Sequence, residues 1–434
     1  MSQTNILITG GCGFLGTSLI SSLLATNRYS ITAIDITPPS LGTRTFPSHV
    51  RYVRADVLDP SALQTVFTEA QPAIVIHAVA IFPIGVARYS TKGRDAVFKV
   101  NVEGTRNVVN AARECGARGL VYTSSTTVVV DSLAHDFRNV DEKWPAGDVD
   151  TSYGQSKALA EDVVLAANDS DFKTCVLRVA PMFGENDTIL IPAVHALIAA
   201  RQTGFVLGTA ENLQDFVYVG NVADAHVLAV ANLLNSQTVA GEALFISNGE
   251  PVSLRDLCLA IWKEFGHVPK YSVRIPEGVA WWIAVITEVA GWVTGIEGTL
   301  SRGVVSEACR DRYVSIVKAG RLLGYRPRVG LVEAVKISCE VSFAVFVLVC
   351  EALTTVYSII RKRSKVVRSY QEMQKDGDDV FRGRQLRDSV RIYCVSRSNP
   401  LASMTQKLRI RPGSRYLPIA SFHSCLMKVA QDRG

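Results

Sequence analysis

A cluster of glycines close to the N-terminus constrains the fold more than any other feature. The motif TGGCGFLG at 9–16 places Gly10, Gly13 and Gly16 in the spacing GxxGxxG, after a short apolar run and before a helical pattern over Thr17–Thr26. Glycine lets the backbone turn sharply and approach a ligand, and a helix N-terminus attracts a phosphate group. A strand, a glycine turn and a helix in this order predict a pyrophosphate site, with a plain tight turn as the alternative.

Short apolar runs alternate with helical patterns over the first 180 residues. Strands are predicted at 5–9, Ser30–Asp35, Val50–Ala55, Ile74–Ala78, Gly119–Ser124 and Thr174–Val179. Helices are predicted at Thr17–Thr26, Ala96–Cys115 and Ser152–Ala167. Strands that alternate with helices indicate an α/β fold, in which crossovers build a parallel sheet covered on both faces.

The charge distribution excludes one class of function. The chain has 434 residues and a net charge of +6, but residues 361–434 contain 17 basic and 6 acidic side chains, a balance of +11. The preceding 360 residues therefore carry −5. Because the basic footprint is missing from the part with a folding pattern, we do not expect nucleic acid as a partner.

Cysteine usage and the N-terminal residues indicate the compartment. The 9 cysteines are scattered and form no CxxC pair, which argues against a disulfide scaffold and a structural zinc site and favours a reducing compartment. We expect no metal site. The first residues lack the basic region and the apolar stretch of a signal peptide.

Two apolar stretches have more than one interpretation. Val279–Val293 contains Trp281, Trp282 and Trp292, and fits either a core or substrate-pocket helix or an interfacial membrane helix with an aromatic face. Val341–Ile360 has 20 residues and one charge, and its length suits a single membrane span, although a mid-bilayer glutamate is unfavourable.

Two acidic positions extend the dinucleotide hypothesis. Asp35 ends the second predicted strand 19 residues after Gly16, the distance at which a carboxylate meets the adenosine ribose hydroxyls. A carboxylate repels a 2′-phosphate, so we expect NAD rather than NADP, while Arg44 and Arg51 keep NADP open. Asp56 and the residue after it fit either an adenine contact or a helix cap.

A tyrosine and a lysine share one face of the helix that begins near Ser152. Tyr153 and Lys157 are four residues apart. A free tyrosine has a pKa near 10, so a base at neutral pH needs a nearby cation, and we expect the Lys157 ammonium to lower the pKa of Tyr153. The third member is predicted to be a hydroxyl at the end of the fifth strand, from Ser125 or Ser124, where ligands bind in parallel sheets.

These motifs together resemble the extended short-chain dehydrogenases/reductases, and more narrowly the 3β-hydroxysteroid dehydrogenase and decarboxylating sterol-4α-carboxylate 3-dehydrogenase group. The residues that carry the resemblance are TGGCGFLG (9–16), VNVEGTRNVVNAARECG (100–116), LVYTSS (120–125), SYGQSKALAE (152–161), LRVAPMFG (177–184), DFVYVGNVADAH (215–226) and LLGYRP (322–327). The resemblance covers roughly residues 4–340. It implies a Rossmann-type doubly wound sheet with a smaller C-terminal substrate-binding α/β region.

The resemblance also assigns roles by position. Tyr153 matches the catalytic acid/base, Lys157 its activating partner and Ser125 the catalytic serine, and the first and third of these flank the substrate hydroxyl. Asn101 matches a helix-start asparagine whose role is more structural than catalytic. The positions that match cofactor contacts are Gly10, Gly13, Phe14, Leu15, Gly16, Asp35, Asp56, Val57, His77, Ala78, Ala80, Asn101, Tyr153, Lys157, Ala180 and Phe183.

The implied function is NAD(P)-dependent oxidation of a 3β-hydroxyl to a ketone on a sterol, triterpenoid or meroterpenoid. Loss of an adjacent C4 carboxylate as CO2 would follow where the substrate carries one. A nucleotide-sugar epimerase or a ketone reductase of the same superfamily is the alternative, and a non-catalytic cofactor sensor is disfavoured by the intact serine, tyrosine and lysine. The expected partner is a lipophilic polycyclic substrate, with a homodimer and membrane contact as further expectations.

The expected organisation has three parts. Residues 1–185 form the NAD(P)-binding core, 186–340 a substrate-binding region interleaved with it, and 341–434 a tail beyond the family pattern. The tail fits a membrane segment at 341–360 with a basic, disordered extension, or residues beyond an uncertain gene end. The expected location is the cytoplasmic face of the endoplasmic reticulum or another internal membrane, and otherwise the cytoplasm.

Overall fold

A computed structural model describes residues 3–39, 47–294 and 300–340. Its strands are β1 (Thr4–Thr9), β2 (Tyr29–Asp35), β3 (Arg51–Arg54), β4 (Ile74–His77), β5 (Gly119–Ser125), β6 (Phe137–Val140), β7 (Lys173–Val179), β8 (Met182–Phe183), β9 (Phe205–Leu207), β10 (Leu213–Gln214), β11 (Val217–Tyr218), β12 (Glu242–Ile246), β13 (Val252–Ser253), β14 (Val273–Ile275) and β15 (Arg312–Val314).

The helices follow the strands in alternation over the first half of the chain. They are α1 (Phe14–Ala25), α2 (Pro60–Ala70), α3 (Arg94–Phe98), α4 (Gly104–Glu114), α5 (Ser152–Ala166), α6 (Leu190–Ala199), α7 (Val219–Leu234), α8 (Leu254–Glu264), α9 (Glu277–Thr294), α10 (Arg302–Ala308) and α11 (Val317–Leu323). Residues 331–340 are also helical. Short 3-10 helices cover Gly85–Tyr89 and Thr126–Val129, and a π-helical segment covers Lys99–Glu103.

The main sheet has seven strands in the order β12-β7-β5-β4-β1-β2-β3 among the described residues, and all its pairings are parallel. The predicted doubly wound parallel sheet is therefore confirmed. The chain runs outward from β1 to β3 and then returns to β4 on the other side of β1. Ligands bind at such a switch point, outside the carboxyl ends of the strands.

Successive residues of β1 show why both faces of the sheet are covered. Ile6 and Ile8 belong to a core cluster with residues of α1 and α7, whereas Leu7 belongs to a second cluster with residues of α2 and α4. Side chains alternate along a strand, so a continuous apolar run supplies two cores at once.

Smaller sheets lie beyond the main one. One has four strands in the order β13-β10-β15-β6, and β11-β8 and β14-β9 form two-stranded pairs. Strand β6 comes from the first half of the chain and β15 from its later part, and they pair in parallel. The division of the chain into a cofactor-binding and a substrate-binding region at residue 185 stays a prediction. At this sheet, a strand from before residue 185 pairs with a strand from after it.

Two predicted helices differ from the structure at their ends or within. Helix α1 begins at Phe14 rather than Thr17, because the N–H groups after the glycine turn already have helical geometry. The helix predicted at Ala96–Cys115 is α3 and α4 joined by the π-helical segment Lys99–Glu103. A π segment inside a helix is rare and often marks a functional site.

The core interpretation of the Trp-rich stretch is wrong. It forms α9, in which Ala280 and Ala284 are buried while Trp281, Trp282 and Trp292 are 37%, 63% and 87% exposed. The interior takes the small residues because α10 packs closely there. Within the described residues, no helix has the length and apolarity needed to cross a membrane, and the predicted segment 341–360 lies outside them.

Candidate active site

The glycine turn between β1 and α1 forms one end of the site. Gly10 has a φ of +74°, and Gly13 caps α1 without any side-chain cap hydrogen bond. A Cβ on Gly16 would lie 2.7 Å from the Cα of Gly11, so α1 can pack onto the turn only with glycine there. The first N–H groups of α1 are thus presented at a turn without a side-chain cap, which suits a phosphate.

The carboxylate of Asp35 lies beside the same turn. Its Oδ2 accepts a hydrogen bond from the backbone N–H of Cys12 at 3.0 Å, and its Oδ1 accepts one from Thr37 N at 3.0 Å. These contacts fix the carboxylate at the C-terminal end of β2, next to the glycine loop. Asp56 is exposed and accepts from Leu58 N at 2.9 Å, so the local turn uses one of its oxygens. Val57 is buried.

His77 at the end of β4 is fully buried in a hydrogen-bonded network. Its Nδ1 lies 2.7 Å from Thr9 Oγ1 and its Nε2 lies 2.9 Å from Thr105 Oγ1. Burial, followed by the charge of Lys157, lowers the pKa of His77 to about 3. The imidazole is therefore neutral, and it braces β1 and β4 below the glycine turn.

Asn101, in the π-helical segment, holds the chain after β4. Its Oδ1 accepts from Ile81 N at 2.8 Å, and its Nδ2 donates to Ile81 O at 3.1 Å and to Ser156 Oγ at 2.9 Å. Ser156 in turn donates to the carbonyl of Tyr153 at 2.7 Å. The side chain of Asn101 is thus engaged in linking α5 to the loop after β4, which favours the structural role.

Tyr153 and Ser125 meet at the carboxyl end of β5. Burial raises the pKa of Tyr153 to about 12, while the charge of Arg88 and a hydrogen bond with Ser125 oppose that increase. The ring of Tyr153 packs edge-on against Phe82, with centroids 4.9 Å apart. The hydroxyl of Ser125 accepts a hydrogen bond from Thr127 Oγ1 at 3.0 Å. The structure brings this serine and tyrosine together as the sequence predicted.

Lys157 lies one turn farther along α5, with its ammonium group against β5. Its Nζ donates to the carbonyl of Thr123 at 2.6 Å and lies 4.2 Å from the centre of the Tyr122 ring. Burial lowers the pKa of Lys157 to about 7. The expected lowering of the Tyr153 pKa by Lys157 does not appear, because burial dominates and the opposing cation is Arg88.

The remaining predicted residues divide into accessible and enclosed positions. Leu15, Ala180 and Phe183 are buried in the core, with 6%, 2% and 0% of their surfaces exposed. Ala78 is half-buried beside Gly10, and Phe14 is half-buried against the core. Ala80 is exposed. The buried side chains pack in the core of the protein. Their predicted contacts with the cofactor stay predictions.

A pocket opens near the end of β5 and the start of α5. Its wall includes Thr126 and Thr127, which follow Ser125, and Thr151, which precedes α5 by one residue. A lipophilic ligand in this pocket would have one end next to the serine and tyrosine.

Two arginines in this pocket were missed by the sequence analysis. The Nε of Arg88 and the Nε and Nη1 of Arg312 are buried and have no hydrogen-bond partner among the described residues. Arg88 is paired through Nη2 with Glu307 at 3.0 Å, and Arg312 donates through Nη2 to Leu133 O at 2.9 Å.

Charged groups of both signs line this wall. Arg88 and Arg312 face one paired carboxylate, that of Glu307, which also accepts a hydrogen bond from the hydroxyl of Tyr89. The fourth group, Asp215, is buried, and burial raises its pKa to about 6. Buried N–H groups of a guanidinium are satisfied best by a carboxylate or phosphate. Arg88 and Arg312 are 224 positions apart, so no spacing rule could have paired them.

These residues fit a bound dinucleotide. The turn around Gly10 and Gly13 would hold the pyrophosphate, and Asp35 the adenosine ribose. Lys157, at the carboxyl ends of the central strands, would reach the nicotinamide ribose. Among the described residues, no cluster of histidine, cysteine or acidic side chains is arranged to hold a metal ion.

Comparison with known proteins identifies the family of the chain. The model of the 3-beta hydroxysteroid dehydrogenase/isomerase family matches residues 7–277. The decarboxylating sterol-4-alpha-carboxylate 3-dehydrogenase of Saccharomyces cerevisiae is 36% identical over 342 residues, covering 76% of this chain and 95% of that protein. The 3beta-hydroxysteroid-dehydrogenase/decarboxylase isoform 1 of Arabidopsis thaliana is 31% identical over 350 residues, covering 76% of this chain and 77% of that protein.

Solved structures share the fold at low sequence identity. The UDP-glucose 4-epimerase of Thermotoga maritima with UDP-glucose superposes with a TM-score of 0.60 at 20% identity, covering 79% of this chain and 100% of that one. The UDP-glucose 4-epimerase of Thermus thermophilus with NAD gives 0.59 at 23% identity, covering 78% and 98%. Similarity at this level establishes the Rossmann-type architecture alone.

Proposed function

The chain belongs to the 3-beta hydroxysteroid dehydrogenase/isomerase family, and on that premise we propose that it oxidises the 3β-hydroxyl of a 4α-carboxysterol and releases the carboxyl group as CO2. The observation that carries the decarboxylating assignment is the pair of buried guanidinium groups, with unpartnered N–H groups, in a pocket whose wall includes the two residues after Ser125. A sterol, triterpenoid or meroterpenoid without a carboxyl group would leave the unpartnered N–H groups of Arg88 and Arg312 without an acceptor.

In the first step the substrate hydroxyl lies between Tyr153 and Ser125. Ser125 donates a hydrogen bond to the substrate oxygen and orients it. Tyr153, as the phenolate, takes the hydroxyl proton while a hydride leaves the carbinol carbon. NAD, when bound, supplies the hydride acceptor. Because burial favours the neutral phenol, Arg88 and the positive charges near the ring are needed to make Tyr153 a base near neutral pH.

In the second step the product ketone lies next to the carbon that bears the carboxylate. The bond between that carbon and the carboxyl carbon breaks, and its electron pair moves to the ketone oxygen, which becomes an enolate as CO2 leaves. The protonated Tyr153 returns its proton to that oxygen, and the enol then becomes the ketone as its carbon gains a proton and its hydroxyl group loses one. The step needs no metal ion and no further oxidant.

The two arginines would act before the second step. Arg88 and Arg312 would hold the carboxylate and so fix the hydroxyl-bearing carbon relative to Tyr153. A hydrogen bond to a charged group contributes about 1.5–3 kcal/mol. Loss of the Arg312 guanidinium should therefore weaken use of a carboxylated sterol by about 10- to 150-fold, with little effect on an uncarboxylated one.

The test follows NADH absorbance with purified protein and two matched substrates, a 4α-carboxy-3β-hydroxysterol and its decarboxylated counterpart. The wild type should prefer the carboxylated sterol and release its isotope-labelled carboxyl carbon as CO2. Arg312→Met should lose that preference, while Arg302→Met, which removes an arginine from an exposed ion pair with Glu288, should keep it. Equal use of both sterols by the wild type would refute the proposal. Tyr153→Phe should abolish turnover and still bind NADH.

We also propose that α9 rests on a membrane surface, which fits a cytoplasmic-facing location on the endoplasmic reticulum or another internal membrane. Exposed Trp281, Trp282 and Trp292 supply the aromatic side chains that favour the boundary between headgroups and acyl chains. Such a location would give the protein direct access to a membrane-dissolved sterol. The helix is too apolar on its outer face for a solvent-exposed element.

Co-sedimentation with phospholipid vesicles tests this placement. Replacing the three tryptophans of α9 by serine should reduce the bound fraction at least tenfold. Val268→Ser, at another exposed apolar position that is 73% exposed, serves as the control and should leave binding unchanged. Unaltered binding of the triple variant would rule out α9 as the contact.

A further inference from the structure

A buried ion pair lies next to the proposed catalytic residues and has no part in the mechanism above. Glu161 on α5 and Arg178 on β7 are 2% and 6% exposed. The Nε of Arg178 donates to both carboxylate oxygens of Glu161 at 3.1 Å, and its Nη2 donates to Oε2 at 2.8 Å. Buried ion pairs seldom add net stability, since desolvation offsets their attraction. Such a pair therefore calls for an explanation other than stability.

The position of Glu161 on the helix suggests that explanation. Tyr153, Lys157 and Glu161 follow one another at four-residue intervals on α5, and side chains at that spacing lie on one face. Lys157 is held against β5 by its hydrogen bond to Thr123 O. Burial lowers the pKa of Lys157, and the charge of Glu161 raises it. Glu161 is thus the anion that favours the ammonium form.

The other groups around Lys157 cannot take over this task. Tyr122 presents its ring to the ammonium, and burial raises its pKa well above its usual value, so it stays neutral. His77 and His226 are fully buried, and burial lowers their pKa values to about 3 and about 4. His226 lies 2.9 Å from Thr123 Oγ1. All three of these neighbours are neutral. Tyr153 is neutral as well until it loses its proton.

Arg178 moderates the field of Glu161. It forms a fork with the carboxylate, while its Nη1 is buried and has no partner among the described residues. Removal of Glu161 alone would leave a buried cation near Lys157, and removal of Arg178 alone would leave a buried anion there. These two changes must act on Lys157 in opposite directions.

We propose that Glu161 is a positioning residue that stabilises the ammonium form of Lys157, and that Arg178 sets how strongly it does so. This inference rests on the proposed function, in which Lys157 holds the nicotinamide ribose next to Tyr153. It makes the buried pair part of the proton chemistry of the site rather than a packing element.

Three variants test the inference through the pH profile of kcat/KM. In Glu161→Gln the fall in activity with rising pH should begin at least about one pH unit lower than in the wild type. In Arg178→Met it should begin at higher pH, because the unpaired carboxylate retains the proton on Lys157. The double variant, which removes both charges, should lie between the two singles. If the ion pair had a purely structural role, the variants would be less active at every pH, and the pH at which activity begins to fall (the alkaline limb of the profile) would not move.

A second measurement separates this inference from the proposed function. NADH fluorescence on binding, followed over the same pH range, needs no sterol and reports the contact of Lys157 with the ribose. The pH at which NADH binding begins to weaken should be lowest in Glu161→Gln, intermediate in the double variant and highest in Arg178→Met. If the wild type oxidises no sterol, the proposed function is wrong, but the pH dependence of NADH binding still tests the role of Glu161.

Folding of the single Glu161 variant is not required for a decision. Should Glu161→Gln fail to fold, Arg178→Met and the double variant still have to differ in the position of the limb. Coincident limbs in these two, or shifts in the same direction in both single variants, would overturn the inference.

Discussion

Gly16→Ala should damage the protein in a way that the same substitution elsewhere does not. Gly16 is the third residue of α1, and a Cβ there would lie 2.7 Å from the Cα and 2.8 Å from the carbonyl carbon of Gly11, and closer still to the carbonyl oxygen of Gly10. All three atoms belong to the backbone of the turn. The new methyl group therefore cannot be accommodated by a side-chain rotation.

The cost follows from these distances. Carbon atoms prefer a separation of about 3.5–4.0 Å, so α1 has to move away from the turn by about 1 Å. Overpacking of this kind typically costs about 1–3 kcal/mol, and alanine returns only about 0.5–1 kcal/mol through its helix preference. We expect a net loss of about 1–2 kcal/mol in the free energy of unfolding. The same movement displaces the first N–H groups of α1, so NADH should bind at least tenfold more weakly.

Urea unfolding and NADH fluorescence titration measure the two effects. The matched control is Gly278→Ala, because a Cβ on Gly278 in α9 would have nothing within 4 Å. That variant should be as stable as the wild type or slightly more stable, with unchanged NADH affinity. The reasoning is refuted if Gly16→Ala unfolds at the wild-type urea concentration and binds NADH normally.

Three further predictions concern side chains around the site. Asn101→Ala leaves the backbone groups of Ile81 without their partner and should lower the free energy of unfolding by about 1–3 kcal/mol; a melting temperature equal to that of the wild type would contradict this. His226 stays neutral in the fold with a pKa of about 4, whereas the unfolded chain takes up a proton below about pH 6.5, so its contribution to stability is lost as pH falls. Urea unfolding should show that the wild type loses about 1.4 kcal/mol more per pH unit than His226→Gln between about pH 6.5 and 4, and parallel curves would argue against it. Asp35→Ser removes the carboxylate that repels a 2′-phosphate and should raise the NADP-to-NAD ratio of kcat/KM at least tenfold, while an unchanged ratio would place the ribose elsewhere.

The central part of the proposed site could be predicted from the sequence because its features are local. These features depend on spacings of a few residues or on one β-strand. They are a glycine turn between a strand and a helix, an acidic residue at the end of the next strand, and a tyrosine and lysine one helical turn apart. Ser125 could be placed because carboxyl ends of parallel strands share one edge of a sheet. The pKa of Tyr153 could not be predicted from the sequence, because it depends on burial in the folded protein.

The Trp-rich segment shows a second limit of the sequence. Composition marked α9 as apolar and aromatic, and both a core helix and a surface helix satisfy that pattern. Only packing decides between them, and it buries Ala280 and Ala284 while Trp292 is left exposed. The face of a helix that meets the protein depends on its neighbours, in this case α10.

The sequence by itself determined the architecture and the reaction class. Strand and helix patterns are periodic, and the proposed cofactor and proton-transfer residues follow from them at short range. Tertiary structure alone brought Arg88 and Arg312 from distant segments into one pocket, and it alone placed Arg178 of β7 on Glu161 of α5. The physical reason is that charges act through space at a few ångströms, and only the folded chain determines which of them are that close and shielded from water.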